Sequence, residues 1–277
     1  MSMAFWRPRL IALDIDGTML DPASALTNAT LRAIQMAREK GAHIVLCSGR
    51  YFPGVRAIAW QARLDGILIV GNGAQIRTAD GAILFHRGLD PVPCRAIAGF
   101  AEKWGLCCNL YAADRIYFNR DNRVIDAYVK LNREVPPEYC CAYCSMPDLR
   151  TAIEEYAGAI LKMEVLSLPG EALPELLSLS RSYPQIAYEG NLQSSVEIHA
   201  AGVDKGTGLR WAAEYYGIPL ESTMAFGDGD NDIPMLRMAH IGVAMQNGTL
   251  AVQNAADAIA PDNANDGVAR MIYQYYM

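Results

Sequence analysis

The sequence predicts an α/β fold in which a doubly wound parallel sheet, of the Rossmann-like kind, carries an inserted α+β unit. Three observations lead to this prediction: apolar runs that end in polar clusters, helical patterns between these runs, and a middle segment with a different pattern. The chain has 277 residues, enough for two average domains or one domain with a large insertion. Apolar residues make up 52% and charged residues 19%, which is typical of a globular protein.

The strands of the parallel sheet are predicted from short apolar runs that do not alternate with polar residues. Such runs are typical of strands that are buried on both faces. Small or acidic residues follow each run at once. The four runs are residues 10–13, 43–47, 66–70 and 224–226.

Helical patterns lie between these runs, and this alternation predicts a parallel sheet. The first helix is expected to begin at Thr27 or Asn28 and to stop at Gly41. A later helix carries apolar residues at helical spacing from Leu209 to Tyr216. Because ligands bind outside the carboxyl ends of parallel strands, we expect the polar clusters to meet at one edge of the sheet.

The middle of the chain has more alternating strands, and no acidic cluster follows them. We therefore predict a core formed by residues 1–83 and 200–277, with an inserted α+β unit at residues 84–199. Its predicted strands are residues 107–111, 115–118, 160–165, 186–188 and 196–198. Its predicted helices lie near residues 94–104, 124–131, 149–156 and 173–179.

Composition also excludes several functional classes. The 24 basic and 30 acidic residues give a net charge of −6, which argues against nucleic acid or an anionic membrane as a partner. No run approaches the roughly 20 apolar residues of a membrane helix, and the amino terminus lacks the order of a signal peptide. We therefore expect a cytoplasmic protein whose 7 cysteines are reduced thiols. No sequence feature indicates a particular oligomeric state.

Other common sites receive little support. The cysteines at 107, 108, 140, 141 and 144 include adjacent pairs, which are not spaced for tetrahedral zinc ligation, so we interpret them as thiols. The glycine pairs at 71 and 73 and at 227 and 229 lack the third glycine of a dinucleotide-binding loop. Binding of NAD is therefore not expected.

Two acidic clusters follow separate predicted strands. Asp14 and Asp16 form the first, and Asp228, Asp230 and Asp232 form the second. Two carboxylates 4 Å apart repel by roughly 4 kcal/mol at an effective dielectric constant of 20. A hard divalent cation removes this cost, and carboxylates, a backbone carbonyl and water are the ligands that Mg²⁺ prefers. The clusters therefore predict a Mg²⁺ site that would attract phosphate.

Three further residues offer what a phosphate group needs. Ser48 has a hydroxyl, Gly49 allows close approach of a backbone N–H, and Lys205 begins a predicted helix whose amino end favours anions. Taken alone, Ser48 and Gly49 could form an ordinary turn, and Lys205 could be a solvated lysine. Their position beside the acidic clusters favours phosphate binding.

Together these segments resemble the four motifs of the haloacid dehalogenase superfamily of phosphohydrolases. The segments are Asp-Ile-Asp-Gly-Thr at 14–18, Ser-Gly-Arg at 48–50, Val-Asp-Lys-Gly at 203–206 and Gly-Asp-Gly-Asp-Asn-Asp at 227–232. The insertion between the second and third motifs is similar to the class IIB cap of the Cof-type subfamily. Residues 71–74 and 265–269 are also similar to that subfamily, and the resemblance covers nearly the whole chain.

The resemblance implies a role for each motif residue. Asp14 is expected to be the nucleophile that forms an aspartyl-phosphate, Asp16 the general acid and then the general base, and Lys205 the group that steadies Asp14. The residues expected to bind the phosphoryl oxygens are Ser48, Gly49, Lys205, Asn231 and the backbone around Ile15. The expected Mg²⁺ ligands are Asp14, the carbonyl of Asp16, Asp228 and, through water, Asp232.

The expected activity is hydrolysis of phosphate monoesters of small metabolites. Sugar phosphates are the first candidates, followed by nucleotides, phosphorylated cofactors such as pyridoxal phosphate, and polyol phosphates. Arg115, Tyr117, Lys162 and Glu164 lie on predicted strands of the insertion and could contact the leaving group, although solvated strand faces explain them equally well. The alternatives are a phosphomutase or phosphotransferase with the same covalent intermediate, and a non-catalytic sensor of a phosphorylated ligand.

Overall fold

The computed structural model describes residues 6–189 and 195–277, and its strands form two sheets. The strands of the first sheet are β1 (Leu10–Leu13), β2 (His43–Cys47), β3 (Ile67–Val70), β4 (Gln75–Thr78), β5 (Ile83–His86), β12 (Thr223–Gly227), β13 (Ile241–Met245) and β14 (Ala258–Ala260). The strands of the second sheet are β6 (Cys107–Ala112), β7 (Ile116–Phe118), β8 (Tyr143–Ser145), β9 (Ile160–Leu166), β10 (Ile186–Glu189) and β11 (Ser195–Ala200).

Ten α-helices are present in the described parts of the chain. They are α1 (Asn28–Glu39), α2 (Phe52–Gln61), α3 (Pro91–Lys103), α4 (Arg123–Leu131), α5 (Arg150–Glu155), α6 (Leu173–Ser182), α7 (Lys205–Tyr215), α8 (Ile233–Met238), α9 (Leu250–Ala255) and α10 (Gly267–Tyr276). Within those same parts, no helix has both the length and the apolar character needed to cross a bilayer.

The first sheet has the strand order β14-β13-β12-β1-β2-β3-β4-β5. The strands from β14 to β3 pair in parallel, while β4 pairs with its two neighbours in the antiparallel direction. The predicted doubly wound α/β class is confirmed, and the antiparallel β4–β5 edge adds to it.

The two faces of this sheet bury different helices, which explains the absence of alternation in the strands. Ile11 and Leu13 of β1 pack in one apolar cluster with residues of α1, α2 and α10. Leu10 and Ala12 point to the opposite face and pack with residues of α7, α8 and α9. Because successive side chains of a strand point to opposite faces, a strand covered on both sides must be apolar throughout.

The polar segments after β1, β2, β3 and β12 lie at one edge of the first sheet, because parallel neighbours have their carboxyl ends on the same side. The predicted convergence of residues 14–18, 48–50 and 228–232 is therefore present in the fold. The segment 71–73, after β3, joins them.

The second sheet has the strand order β10-β11-β9-β6-β7-β8. Strand β9 places Leu161 and Met163 in the apolar cluster, whereas Lys162 and Glu164 line a cavity that faces the polar edge of the first sheet. Helices α3 and α6 pack on the second sheet. This sheet therefore has one polar face, and that face is turned toward the site.

The chain changes from the first sheet to the second between His86, at the end of β5, and Cys107, at the start of β6. Residue 84 lies inside β5, and residue 200 ends β11. The expected division into residues 1–83 with 200–277 and residues 84–199 stays a prediction. The predicted strand 196–198 of the inserted unit lies within β11.

Candidate active site

Asp14 follows β1 directly and is 5% exposed. Its backbone N–H donates to the carbonyl of Phe226 at 3.1 Å, which continues the pairing of β1 with β12. The Nζ atom of Lys205 donates to Oδ1 of Asp14 at 2.6 Å and to Oδ1 of Asp232 at 2.5 Å. A single buried ammonium group therefore joins the two acidic clusters.

The start of α7 places Lys205 at this position. Asp204 and Thr207 form a capping box. The side chain of Asp204 accepts a hydrogen bond from the backbone N–H of Thr207 at 2.6 Å, and the hydroxyl of Thr207 accepts one from the backbone N–H of Asp204 at 3.0 Å. The cap ends the preceding loop at residue 204. Lys205 thus becomes the first residue of the helix, beside the carboxyl ends of the strands.

Asp232 organises the second acidic cluster. Its Oδ2 atom accepts from the backbone N–H groups of Asp228 and Gly229, both at 2.9 Å. Its Oδ1 atom accepts from Lys205. Both oxygens are thus bound by the protein, and the expected role of Asp232 toward a metal ion, through water, stays a prediction.

The turn after β1 requires glycine at position 17. Gly17 has a φ of +81°, and a Cβ atom there would lie 2.2 Å from Oδ2 of Asp228. The hydroxyl of Thr18 in the same turn donates to Oδ1 of Asp228 at 2.9 Å. The turn of the first motif therefore positions the carboxylate of the fourth.

The electrostatics of the cluster favour an additional cation. Burial and the neighbouring Asp232 raise the pKa of Asp14 well above its ordinary value, and they raise the pKa of Asp228 to about 6. Burial lowers the pKa of Lys205, but Asp14 and Asp232 outweigh it, so that the pKa lies well above the ordinary value. One ammonium group faces three carboxylates, so the site carries excess negative charge.

The donor set fits Mg²⁺. Oxygen atoms of Asp14, Asp228 and Asp232 lie within 4.8 Å of one another. Side-chain hydrogen bonds from the described residues occupy one oxygen of Asp14 and one of Asp228, which leaves an oxygen on each for a ligand bond. Carboxylate oxygens at this spacing suit a hard cation better than a soft one.

Asp16 lies outside this buried cluster and pairs with Arg50. Its side chain is 56% exposed, and the guanidinium of Arg50 donates to both of its oxygens, at 2.6 and 2.7 Å. Partial desolvation within the cavity tends to raise the pKa of Asp16, but the charge and hydrogen bonds of Arg50 outweigh this effect and hold the pKa below the ordinary value. The sequence analysis did not predict that Arg50 pairs with Asp16. The available signal was the position of Arg50 in the Ser-Gly-Arg segment, which was expected at the same edge of the sheet.

Of the expected phosphate-binding residues, Ser48, Gly49 and Asn231 line the same cavity as Asp14 and Asp16. Ser48 is buried, and its hydroxyl accepts from the N–H of Arg50 at 3.2 Å. Ile15 buries its side chain, so that only its backbone could contact a ligand. The side chain of Asn231 donates to Oδ1 of Asn72 at 3.2 Å.

Gly49 has a second reason to be glycine. A Cβ atom at this position would lie 2.9 Å from Oδ1 of Asn72 and 3.3 Å from Oε2 of Glu197. Asn72 and Glu197 were not among the predicted site residues. A charged position inside the predicted strand 196–198 was the available signal for Glu197, and the Gly-Asn-Gly segment after β3 was that for Asn72.

A cavity of about 700 Å³ opens beside Asp14 and Asp16, between the two sheets. Lys162 and Glu164 line it, as do Tyr111 and Tyr128 from the second sheet and α4. Arg115 and Tyr117 are not part of its lining. Of the four residues proposed from the sequence for the leaving group, the structure therefore brings two to the site.

Residues 11–272 match the model of the haloacid dehalogenase-like hydrolase family. The chain belongs to this family. The match covers both sheets, so the family assignment applies to the inserted unit as well as to the parallel sheet. The resemblance noted from the motifs is confirmed, and the chain is a hydrolytic enzyme.

This haloacid dehalogenase-like hydrolase is similar to two curated phosphatases over nearly its full length. It is 30% identical to the 5-amino-6-(5-phospho-D-ribitylamino)uracil phosphatase YitU of Bacillus subtilis, over 98% of each chain. It is 27% identical to the pyridoxal phosphate phosphatase YbhA of Escherichia coli, over 96% of this chain and 98% of the other.

Among solved structures, the subclass IIB sugar phosphatase BT4131 has the same fold. The TM-score is 0.79 at 24% identity, over 96% of this chain and 98% of the other. The chain is therefore a hydrolase of the haloacid dehalogenase type, and it shares the fold of this solved structure.

Proposed function

We propose that this hydrolase is a Mg²⁺-dependent phosphatase that cleaves phosphate monoesters of small metabolites through an aspartyl-phosphate on Asp14. One observation carries the proposal. The buried Asp14 has one oxygen held by Lys205 at 2.6 Å, and it lies beside Asp16 at the opening of a cavity of about 700 Å³. A nucleophile, an acid–base group and a space for the ester thus adjoin one another.

In the first step, the free carboxylate oxygen of Asp14 attacks the phosphorus atom. The new bond joins that oxygen to phosphorus, and the bond from phosphorus to the ester oxygen breaks. Asp16, in its protonated form, gives its proton to the departing alkoxide. Lys205 favours the ionised form of Asp14, against burial and the charge of Asp232, and orients the carboxylate during the attack.

In the second step, water hydrolyses the aspartyl-phosphate. Asp16, now ionised, takes a proton from the water molecule while the water oxygen attacks phosphorus. The bond from phosphorus to Asp14 breaks, and the carboxylate of Asp14 leaves. Arg50 suits this stage because it stabilises the ionised form of Asp16. The same ion pair must loosen for Asp16 to carry a proton in the first step.

Mg²⁺ would be held by Asp14, Asp228 and the backbone carbonyl of Asp16, with Asp232 contributing through water. When bound, it would neutralise the negative charge that gathers on the phosphoryl oxygens. Ser48, Gly49, Asn231, Lys205 and the backbone at Ile15 would bind those oxygens and orient the phosphoryl group for attack.

The leaving group would occupy the part of the cavity under the second sheet. Tyr111 and Tyr128 offer aromatic surface there, and Lys162 and Glu164 offer hydrogen-bonding groups. This lining suits a small polyhydroxylated alcohol, so sugar phosphates remain the first candidates. The activities named for the two curated relatives support adding ribityl phosphates and pyridoxal phosphate to the test.

The second sheet and its helices would act as a cap, in the expected region 84–199. By approaching the polar edge of the first sheet, the cap would exclude water during the first step and select the leaving group. A cytoplasmic location is part of the proposal, because all the cysteines are free thiols, which a reducing compartment maintains.

The test is phosphate release from a panel of phosphorylated metabolites, with Mg²⁺ and after exhaustive treatment with EDTA. We expect metal-dependent release from one chemical class of ester and no release by Asp14→Asn, which keeps the side-chain volume but is not a nucleophile. Full activity after EDTA, or in Asp14→Asn, would contradict the mechanism. Transfer of phosphate to an added sugar in preference to water would indicate a phosphotransferase instead.

A further inference from the structure

A chain of hydrogen bonds joins the second sheet to the phosphate side of the site. Nδ2 of Asn72 donates to Oε2 of Glu197 at 2.6 Å, and Nδ2 of Asn231 donates to Oδ1 of Asn72 at 3.2 Å. Lys162 forms an ion pair with the other oxygen of Glu197. We call this series of side chains the amide chain: the amides of Asn231 and Asn72, and the carboxylate of Glu197 at which they end. Its members come from β11, the segment after β3 and the segment after β12.

The charge of Glu197 sets the direction of every bond in the amide chain. A carboxylate only accepts, so Asn72 must turn its NH₂ group toward Glu197 and its carbonyl toward Asn231. Asn231 must then turn its own NH₂ group toward Asn72. An NH₂ group has two hydrogens, so the second N–H of Asn231 is available to a phosphoryl oxygen, while the carbonyl of Asn231 is turned away from Asn72.

Lys162 keeps Glu197 in the ionised form that this orientation requires. Burial tends to raise the pKa of Glu197, but Lys162 and the hydrogen bond from Asn72 outweigh it and hold the pKa below the ordinary value. The side chains of Lys162 and Glu197 are 3% and 18% exposed, so salt screens this ion pair less than a pair on the surface.

The position of Asn72 is built for this contact. Asn72 is fully buried and adopts φ 56° and ψ 35°, a left-handed conformation that asparagine tolerates better than most residues. The absence of a side chain at Gly49 leaves room for its Oδ1, which would lie only 2.9 Å from a Cβ atom there. The amide of Asn72 is therefore held in place from several sides.

We propose that Glu197 and Asn72 are positioning residues that orient the amide of Asn231 toward the phosphoryl group, so that phosphate binding depends on the second sheet being seated on the first. The inference rests on the proposed function, in which Asn231 binds the phosphoryl oxygens. It adds that a carboxylate of the second sheet controls a phosphate ligand of the first through Asn72.

A double-mutant cycle on inorganic phosphate tests the inference. The affinity of phosphate, with Mg²⁺ present, is measured by titration calorimetry for the wild type, Asn72→Gly, Asn231→Ala and the double variant. Glycine at 72 keeps the left-handed backbone without strain. We expect Asn231→Ala to weaken binding by about tenfold or more and Asn72→Gly by about tenfold. The double variant should bind no more weakly than Asn231→Ala, since both changes remove the same contact.

Other outcomes overturn the inference. Additive losses in the double variant would mean that Asn72 acts on general stability and not through Asn231. An unchanged affinity in Asn72→Gly, or no binding of phosphate to the wild type, would also overturn it. Asn119→Gly is the matched control: this asparagine bonds the backbone of Cys108 and Leu106 at 2.8 and 2.9 Å, and its loss should leave phosphate affinity unchanged.

Glu197→Gln is the second variant, and it decides the question if Asn72→Gly does not fold. The substitution keeps the size of the side chain but replaces a charged acceptor by a weaker neutral one. We expect phosphate affinity to fall about threefold when Asn231 is present and not at all in the Asn231→Ala background. An equal loss in both backgrounds would contradict the inference. Phosphate binding requires no turnover, so this result is independent of the release assay with Asp14→Asn.

Discussion

The guanidinium of Arg50 holds the carboxylate of Asp16 through two hydrogen bonds, from Nε at 2.7 Å and from Nη2 at 2.6 Å. This fork joins the turn after β1 to the turn after β2. It orients a carboxylate that is otherwise 56% exposed, and it favours the ionised form. Arg50 also lies 5.9 Å from the ring centre of Tyr128 in α4, which connects the pair to the far wall of the cavity.

We predict that Arg50→Met lowers kcat/KM for alkyl phosphates by about tenfold, because Asp16 loses the group that orients it. Arg50→Lys should recover only part of the activity, since an ammonium group cannot form the two-bonded fork. Esters of p-nitrophenol need little acid assistance and should be affected less. Steady-state kinetics on both ester types checks this, and an equal loss on both would contradict the orienting role.

We predict that Asp14→Asn raises the free energy of unfolding of the metal-free protein by about 1 to 2 kcal/mol at neutral pH. The pKa of Asp14 is raised in the folded state, so keeping this carboxylate ionised above its ordinary pKa costs stability, and the amide removes that cost. Urea unfolding in EDTA measures the difference. Mg²⁺ should stabilise the wild type more than Asp14→Asn, and a lower stability of Asp14→Asn in EDTA would contradict the prediction.

We predict that Gly49→Ala lowers kcat/KM by about tenfold and destabilises the fold by about 1 to 3 kcal/mol. The new methyl group would lie 2.9 Å from Oδ1 of Asn72 and would displace the amide chain. Gly99→Ala, inside α3 with no atom within 4 Å of the new Cβ, is the control. It should leave kinetics unchanged and stabilise slightly. Normal kinetics in Gly49→Ala would show that the contact does not matter.

We predict that His199 makes the stability of the protein depend on pH. Burial lowers the pKa of this histidine, but Glu189, with Oε2 3.5 Å from Nε2, outweighs burial and raises it, and Glu197 adds to the effect. Lys162 lies opposite His199 in the sheet register and is paired with Glu197. A raised pKa in the folded state means that stabilisation is fully present below the ordinary value of about 6.5 and is lost as pH rises through the folded value.

The measurement is the free energy of unfolding of the wild type and of His199→Gln between about pH 5.5 and pH 9. The advantage of the wild type should be largest at the acidic end and should shrink as the pH rises. An advantage that grows with pH would contradict the assignment of the ion pair.

The family, the fold class and most of the chemical groups could be predicted from the sequence. Asp14, Asp16 and Asp228 stand in short motifs directly after apolar strands, and Lys205 stands at a predicted helix start. The turn after a buried strand and the start of a helix are local properties of consecutive residues. Because parallel strands share one edge, the topology brings such motifs together without further information. The side chains that carry the proposed chemistry were therefore identifiable before any contact was known.

The tertiary structure alone decided which groups control these residues. Asn72 and Glu197 are 125 positions apart, and no periodicity connects them. Their contact depends on the register of β9 with β11 and on how the second sheet sits on the first. The same holds for Lys162 and Glu164, which the sequence could not separate from solvated strand residues. Local patterns determine strands and turns, but contacts between two sheets depend on the packing of distant segments.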